Sequence, residues 1–171
     1  MGTTGGAFVA GATGYVGQQV TVQLCRAGIP TVAHVRPDSA RLAEWRDRFA
    51  AMGAQVDETP WVPDAMADAM RRLRPDRVFC LVGTTRARMR ESSRAGRDPD
   101  EASYRAVDFG LTALLAGAAA RAGIAPRFVY LSAMGAGPSA KGAYMRWRTK
   151  AEEAVVASGL PYTLVRPAII T

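Results

Sequence analysis

The stretch Phe8-Val9-Ala10-Gly11-Ala12-Thr13-Gly14-Tyr15-Val16-Gly17 decides the fold. An apolar run breaks into three glycines spaced three apart and then continues as a helical pattern. A strand ending near Ala10 would deliver the chain into a tight turn at Gly11. Gly14, without a side chain, would let backbone N–H groups approach a pyrophosphate, and Gly17 would let the following helix lie close on the sheet. The positive end of that helix would face the phosphates. Thr13, Tyr15 and Val16 fall within the same turn, so Gly11 to Gly17 reads as a dinucleotide site. Glycine spacing alone also fits ordinary turns, and the flanking chain has to supply the context.

It does so by alternation. Val16, Val20 and Leu24 recur at helical spacing until Gly28 and Pro30, and Thr31 to Val35 reads as a second, buried strand. A helix follows with Leu42, Trp45, Phe49 and Met52 on one face, ended by Gly53. Ala54 to Asp57 is a short third strand, Asp64 is a candidate cap for a helix carrying Met66, Met70 and Leu73, and Arg77 to Val82 is a fourth strand. Gly83 to Pro99 reads as a long loop bearing Arg86, Arg88, Arg90, Arg94 and Arg97. Tyr104, Val107, Leu111, Leu114, Leu115 and Ala118 predict a helix from Asp100 to Ala122. Arg127 to Ser132 is the fifth strand, a helix runs from Gly142 to Ser158, and Tyr162 to Arg166 is the sixth strand. Strands and helices in alternation predict an α/β fold of Rossmann type: one doubly wound parallel sheet of about six strands, helices on both faces, and a single domain over residues 1–171. The glycine motif then stands where such sheets bind nucleotides, at the carboxyl ends of the strands.

Composition excludes several classes. With 49% hydrophobic and 22% charged residues over 171 positions, the chain can bury a full core and is not disordered in character. Cys25 and Cys80 lie in apolar stretches without ligand spacing, which predicts reduced thiols, a cytoplasmic location and no metal site. No segment reaches the ~20 apolar residues of a membrane span. The net charge of +7 suits an anionic cofactor; the arginines lack the aromatic interleaving of a nucleic-acid surface, so no nucleic-acid partner is expected. His34 reads as a structural histidine, and Trp45, Trp61 and Trp147 as packing residues.

Four stretches together resemble the atypical short-chain dehydrogenase/reductase family, in its small NmrA-like, NAD(P)-binding branch. They are Gly11 to Gly17, Val78 to Thr85, Val129-Tyr130-Leu131-Ser132-Ala133-Met134-Gly135, and the tail from Lys150-Ala151-Glu152-Glu153 to Arg166-Pro167. The resemblance implies that Asp57 faces the adenine amino group and that Val82, Gly83 and Thr84 line the cofactor's other side. Arg36 stands where the second strand ends and meets the adenosine ribose. An arginine there pairs with a 2′-phosphate, so NADP is favoured, with NAD possible.

Active members of the family use a serine at the end of the fifth strand, a tyrosine, and a lysine four residues after it. Ser132 matches the serine, and Tyr144, 12 residues on, is the candidate tyrosine. Four residues after Tyr144, however, stands Arg148, whereas Lys150, which best matches the family's Lys-x-x-Glu register and would contact the cofactor ribose, has Arg146 four before it. On a regular helix Tyr144 and Lys150 lie about 240° apart and cannot enter one pocket. Either Tyr144 precedes the helix and folds back, or the dyad is incomplete with Arg148 as its cation.

Family members usually continue beyond the sixth strand with elements that cover the substrate pocket. The chain is therefore expected to hold a cofactor and present an open substrate site, either as a short member or as the N-terminal part of a longer one. Three functions compete. An NADP-dependent reductase of a small carbonyl-type substrate would use Ser132, Tyr144 and Lys150 or Arg148. A catalytically weak NADP(H) sensor or scaffold would account for the altered dyad. A nucleotide-sugar epimerase or dehydratase needs a substrate domain for which the chain leaves no length. The resemblance allows a monomer or a homodimer, the latter formed by the helices 100–122 and 142–158.

Overall fold

A computed structural model describes residues 5–96, 98, 100 and 102–168. Its six strands are β1 (Ala7–Ala10), β2 (Thr31–His34), β3 (Gln55–Asp57), β4 (Arg77–Cys80), β5 (Arg127–Leu131) and β6 (Tyr162–Val165). They form one parallel sheet in the order β3-β2-β1-β4-β5-β6. The chain leaves β1 in one direction to build β2 and β3 and then crosses back to build β4, β5 and β6. The reversal lies between β1 and β4, and it opens a crevice at their carboxyl ends.

Alternation along each strand divides the core. Phe8 and Ala10 of β1, Val78 and Cys80 of β4, and Phe128 and Tyr130 of β5 face α3 (Pro63–Leu73), α5 (Thr112–Arg121) and α6 (Gly142–Ala157). Val9, Ala33, Val35 and Phe79 face the other way, onto α1 (Tyr15–Arg26) and α2 (Leu42–Ala51), where Trp45 and Phe49 fill the space. Arg41 and Arg48 lie 4.9 and 5.4 Å from the Trp45 ring. The alanines of α5, Ala116, Ala118 and Ala119, are buried against this core, where the helix packs on α3 and α6.

Four expectations require correction. Asp64 does not cap α3: Val62 holds the cap position without a side-chain bond and Pro63 opens the helix, its fixed φ suiting the first turn. The expected arginine loop contains a helix, α4 (Arg86–Arg94), capped by Thr85, whose hydroxyl accepts from the Arg88 amide at 3.2 Å. It escaped the apolar-period reading because it buries no residue. Arg97 and Pro99 of the expected loop, like residues 169–171, lie outside the described residues. The helix expected to start at Asp100 instead begins as a π-helical segment, Tyr104–Leu111, capped by Ser103, before α5 continues it. Finally, β2, β4, β5 and β6 end one or two residues earlier than read, and β3 begins at Gln55.

Candidate cofactor and substrate site

The glycine turn is built by close backbone approach. Gly11 has φ +80°, and a Cβ there would lie 2.7 Å from the Leu81 carbonyl and 2.9 Å from the Val82 amide, so the turn abuts the end of β4 across the crevice. At Gly17 a Cβ would come within 2.1 Å of the Gly11 oxygen, which forces helix and turn together. Gly14 differs: a Cβ would meet only the Gly11 oxygen, at 3.2 Å, and the space above it is open. Gly14 is also the N-cap of α1 with no side-chain bond, and the first turn carries no acidic residue. An open cradle over an uncapped, uncompensated helix N-terminus fits a pyrophosphate. Gln18, which sequence reasoning passed over, steadies the turn by donating from Nε2 to the Thr13 carbonyl at 3.0 Å.

Around the cradle, Thr13 and Val16 are half-buried and Tyr15 is exposed. Arg36 is exposed just beyond β2 and pairs loosely with Asp38, at 3.6 Å. Asp57 is buried, and its two oxygens take the Arg72 guanidinium at 2.7 Å and the Thr59 amide at 3.0 Å, so it ties β3 to α3. His34 packs between Phe8 and Trp61 and donates from Nε2 to the Thr59 carbonyl at 2.7 Å. Burial pushes its pKa below the ordinary value despite the Thr59 carbonyl and Asp57.

On the other side of the crevice a buried ion pair organises the ends of β4 and β5. Asp108, on the π-helical segment, is fully buried, accepts the Thr84 amide at 3.0 Å, and lies 2.9 Å from Nη2 of Arg148. Arg148 also donates from Nη1 to the Leu131 carbonyl at 2.6 Å and to the Tyr130 hydroxyl at 3.0 Å. Gly83 leaves room for this pair: a Cβ there would sit 2.6 Å from Arg148 Nη2. Burial pushes the Asp108 carboxyl up against the pull of Arg148 and the Thr84 amide. Burial also works against charge on Arg148, but Tyr130, Asp108 and Tyr144 outweigh it and hold the proton. Val82 and Thr84 are buried beside the pair. The Cys80 thiol, pushed up to about 11 mainly by burial, is unsuited to nucleophilic work at neutral pH.

Tyr144 lies within α6, so the alternative in which it precedes the helix is excluded. Its ring stands 5.3 Å from the Arg148 guanidinium and 5.2 Å from the Tyr104 ring. Lys150 is not brought to this cluster. It is on the exposed side of α6 and donates to Glu153 at 2.7 Å, as the six-residue separation requires. Ser132 Oγ is buried without a well-formed hydrogen bond, on the side of the Glu152 carboxylate. Burial pushes Glu152 up, but bonds from Arg166, at 2.6 and 2.8 Å, and the nearby Ser132 hydroxyl outweigh it and leave the carboxyl below its usual range. The family-like Lys-x-x-Glu and Arg-Pro stretches therefore meet through Glu152 and Arg166.

Sequence reasoning missed Asp108, Tyr104 and the partners of Arg148. A signal existed: Asp108 lies on the apolar stripe of its helix with Leu111 and Leu115, and Arg148 on that of α6 with Ala151 and Val155. Opposite charges on two buried faces predict that they meet.

These features define a nucleotide-binding α/β domain with its site at the sheet's carboxyl edge. The chain matches the NAD(P)H-binding family over residues 11–171 and belongs to it. It is 28% identical over 159 residues to the mitochondrial protein FMP52 of Debaryomyces hansenii, covering 93% of this chain and 63% of that one. Among solved structures it resembles a Burkholderia cenocepacia J2315 protein bearing a provisional epimerase name, at a TM-score of 0.72 and 22% identity over 96% of this chain and 54% of that one. It also resembles ChuY, an anaerobilin reductase from Escherichia coli O157:H7, at 0.68 and 24% identity over 94% of this chain and 71% of that one. The chain thus spans less than two thirds of the first two relatives. Among the described residues no helix is long and apolar enough to cross a membrane, and no three potential metal ligands cluster.

Proposed function

We propose that the chain is an NADP(H)-dependent reductase of a small carbonyl-type substrate, of the NmrA-like branch, acting in the cytoplasm, where the unpaired Cys25 and Cys80 stay reduced. One observation carries this reading: Arg148 joins the two groups that such chemistry needs. Its guanidinium bonds the carbonyl of Leu131, the residue before Ser132, and lies 5.3 Å from the Tyr144 ring. Gly11 to Gly17 would hold the pyrophosphate, Arg36 the 2′-phosphate, and Val82 to Thr84 the far side of the cofactor. When bound, the nicotinamide supplies the hydride. Tyr144 Oη donates to the substrate oxygen and gives up its proton, solvent at the half-buried Tyr144 returns that proton, and the Ser132 hydroxyl would add a second donor by turning from Glu152 toward the crevice. Arg148 acts through its neighbours: a permanently charged fork already engaged by Asp108 and Leu131 holds the end of β5 in place.

The test is NADPH oxidation across a panel of aldehydes, ketones and quinones. Tyr144→Phe is expected to lose at least about a hundredfold in kcat with NADPH affinity retained; undiminished turnover would exclude Tyr144 as the acid. In calorimetry Arg36→Asp should weaken NADPH more than NADH, and equal effects would refute the cofactor preference.

A second reading, a catalytically weak NADP(H) sensor, is favoured by one specific observation: Lys150 is engaged by Glu153 at the surface. Turnover well above background with any member of the panel would remove it.

A further inference from the structure

Arginines without a carboxylate partner are scattered over the described surface of this chain and concentrate on one helix, while others are paired. Among the described residues Arg41, Arg46, Arg72, Arg121, Arg148 and Arg166 each pair with an Asp or Glu. The arginines of α4 are the densest unpaired group, four in a helix of nine residues. Arg86, Arg88, Arg90 and Arg94 are exposed, and no ion pair joins any of them to a described carboxylate, although Glu91 sits on the same helix. Arg86, Arg90 and Arg94 follow one another at four-residue spacing, so they form a ridge along one side, ~6 Å per step.

Such a helix is poorly supported from within. It has nine residues and buries none of them, whereas isolated helices need about 12–15 residues to persist. Its two like-charge i,i+4 pairs each oppose it further. What anchors it is the site: Thr85, its cap, follows Thr84, whose amide is held by Asp108, which in turn pairs with the Arg148 that lies against Tyr144. The ridge therefore rises from the rim of the pocket where the substrate oxygen is to be held.

We propose that α4 is the substrate-recognition element and that the substrate is an anion, a carbonyl compound bearing one or more carboxylates that pair with Arg86, Arg90 and Arg94. This rests on the reductase reading for the carbonyl, while the anion site stands on the ridge itself. Binding offsets the mutual repulsion of the arginines and fixes the helix over the crevice, so recognition and closure are one event. Guanidinium forks suit planar carboxylates and receive them bidentately.

The experiment compares the wild type with two triple variants of equal charge change. One carries Arg86→Gln, Arg90→Gln and Arg94→Gln; the other carries Arg26→Gln, Arg77→Gln and Arg127→Gln, at exposed positions toward the amino edge of the sheet. NADPH oxidation is measured with para-carboxybenzaldehyde and with its neutral methyl ester. At low ionic strength the acid should exceed the ester about tenfold in kcat/KM in the wild type and in the amino-edge variant, and the preference should vanish in the α4 variant and fall with added salt. Trimesate titrated calorimetrically into the NADPH-bound protein gives a readout that needs no turnover. It should bind about tenfold more weakly to the α4 variant alone, even if no aldehyde is reduced. Equal trimesate binding by wild type and α4 variant would overturn the proposal, as would equal losses in both variants. So would weakened NADPH binding in the α4 variant, which would assign the ridge to the cofactor phosphates, or tighter binding of a single-stranded oligonucleotide than of trimesate.

Discussion

Replacing Asp108 by Asn isolates the charge that holds the two halves of the site together. Asp108 is fully buried and Arg148 is 6% exposed. The guanidinium cannot shed its proton to relieve an unpaired charge. In Asp108→Asn it keeps the Leu131 carbonyl and the Tyr130 hydroxyl but loses its counter-charge. Removing one partner of a buried pair costs about 3–5 kcal/mol, and the two remaining acceptors place this case near ~3 kcal/mol. For 171 residues that corresponds to a fall in Tm of about 6–12 °C. The opposite deletion, Arg148→Met, behaves differently because a carboxylate can take up a proton. Burial already pushes Asp108 up, and without Arg148 it rises further. A folded-state pKa above the unfolded one means stability that is greatest below the unfolded value and is lost as pH climbs through the folded one. Arg148→Met should therefore lose stability steadily as pH climbs above the ordinary aspartate value of about 4, while the penalty in Asp108→Asn stays nearly level. Urea unfolding followed by tryptophan fluorescence across that range reads both. A loss of under about 0.5 kcal/mol in Asp108→Asn, or a pH-independent loss in Arg148→Met, would refute a buried charge pair.

Two further outcomes follow from the other side of the crevice. Gly17→Ala places a methyl 2.1 Å from the Gly11 oxygen, so α1 must lift off the turn; a stability loss of about 1–3 kcal/mol and at least tenfold weaker NADPH binding are expected by thermal melts and calorimetry, and affinity within twofold of wild type would contradict the close-approach role. His34 is the sole histidine, and burial holds its pKa below the ordinary value, so the unfolded chain takes up the proton first as pH falls through about 6.5. Stability should decline on acidification in that window, and His34→Gln should remove the slope; an unchanged slope would place its origin elsewhere.

The doubly wound parallel sheet, its alternating helices and the glycine turn were legible because each strand is a short apolar run between turn residues, and the helices α1, α3 and α5 show their apolar faces at regular spacing. Periodicity reports burial, and it fails where burial is absent or mixed. It missed α4, which buries nothing and is marked in sequence only by Thr85 before it and Gly96 after it. It could not distinguish a π-helical stretch from an α-helix between Tyr104 and Leu111, since both bury residues three to five apart. At the site, the conflict between Tyr144 and Lys150 was visible from helix geometry alone. The pairing of Arg148 with Asp108 was marked only as two opposite charges on apolar stripes, because it joins residues forty positions apart whose encounter depends on how α6 packs against the π-helical segment.

The π-helical segment also carries information that side-chain replacement leaves untouched. Its wider winding sets the angle between Tyr104, which meets Tyr144, and Asp108, which meets Arg148. Removing a single residue between them would let the segment tighten to ordinary helix with the two contacts kept within about 30° of their present angle, whereas adding one would swing them about 80° apart. The site is thus encoded partly as a count of residues, and lengthening this stretch by one is the change it should tolerate least, whatever residue is chosen.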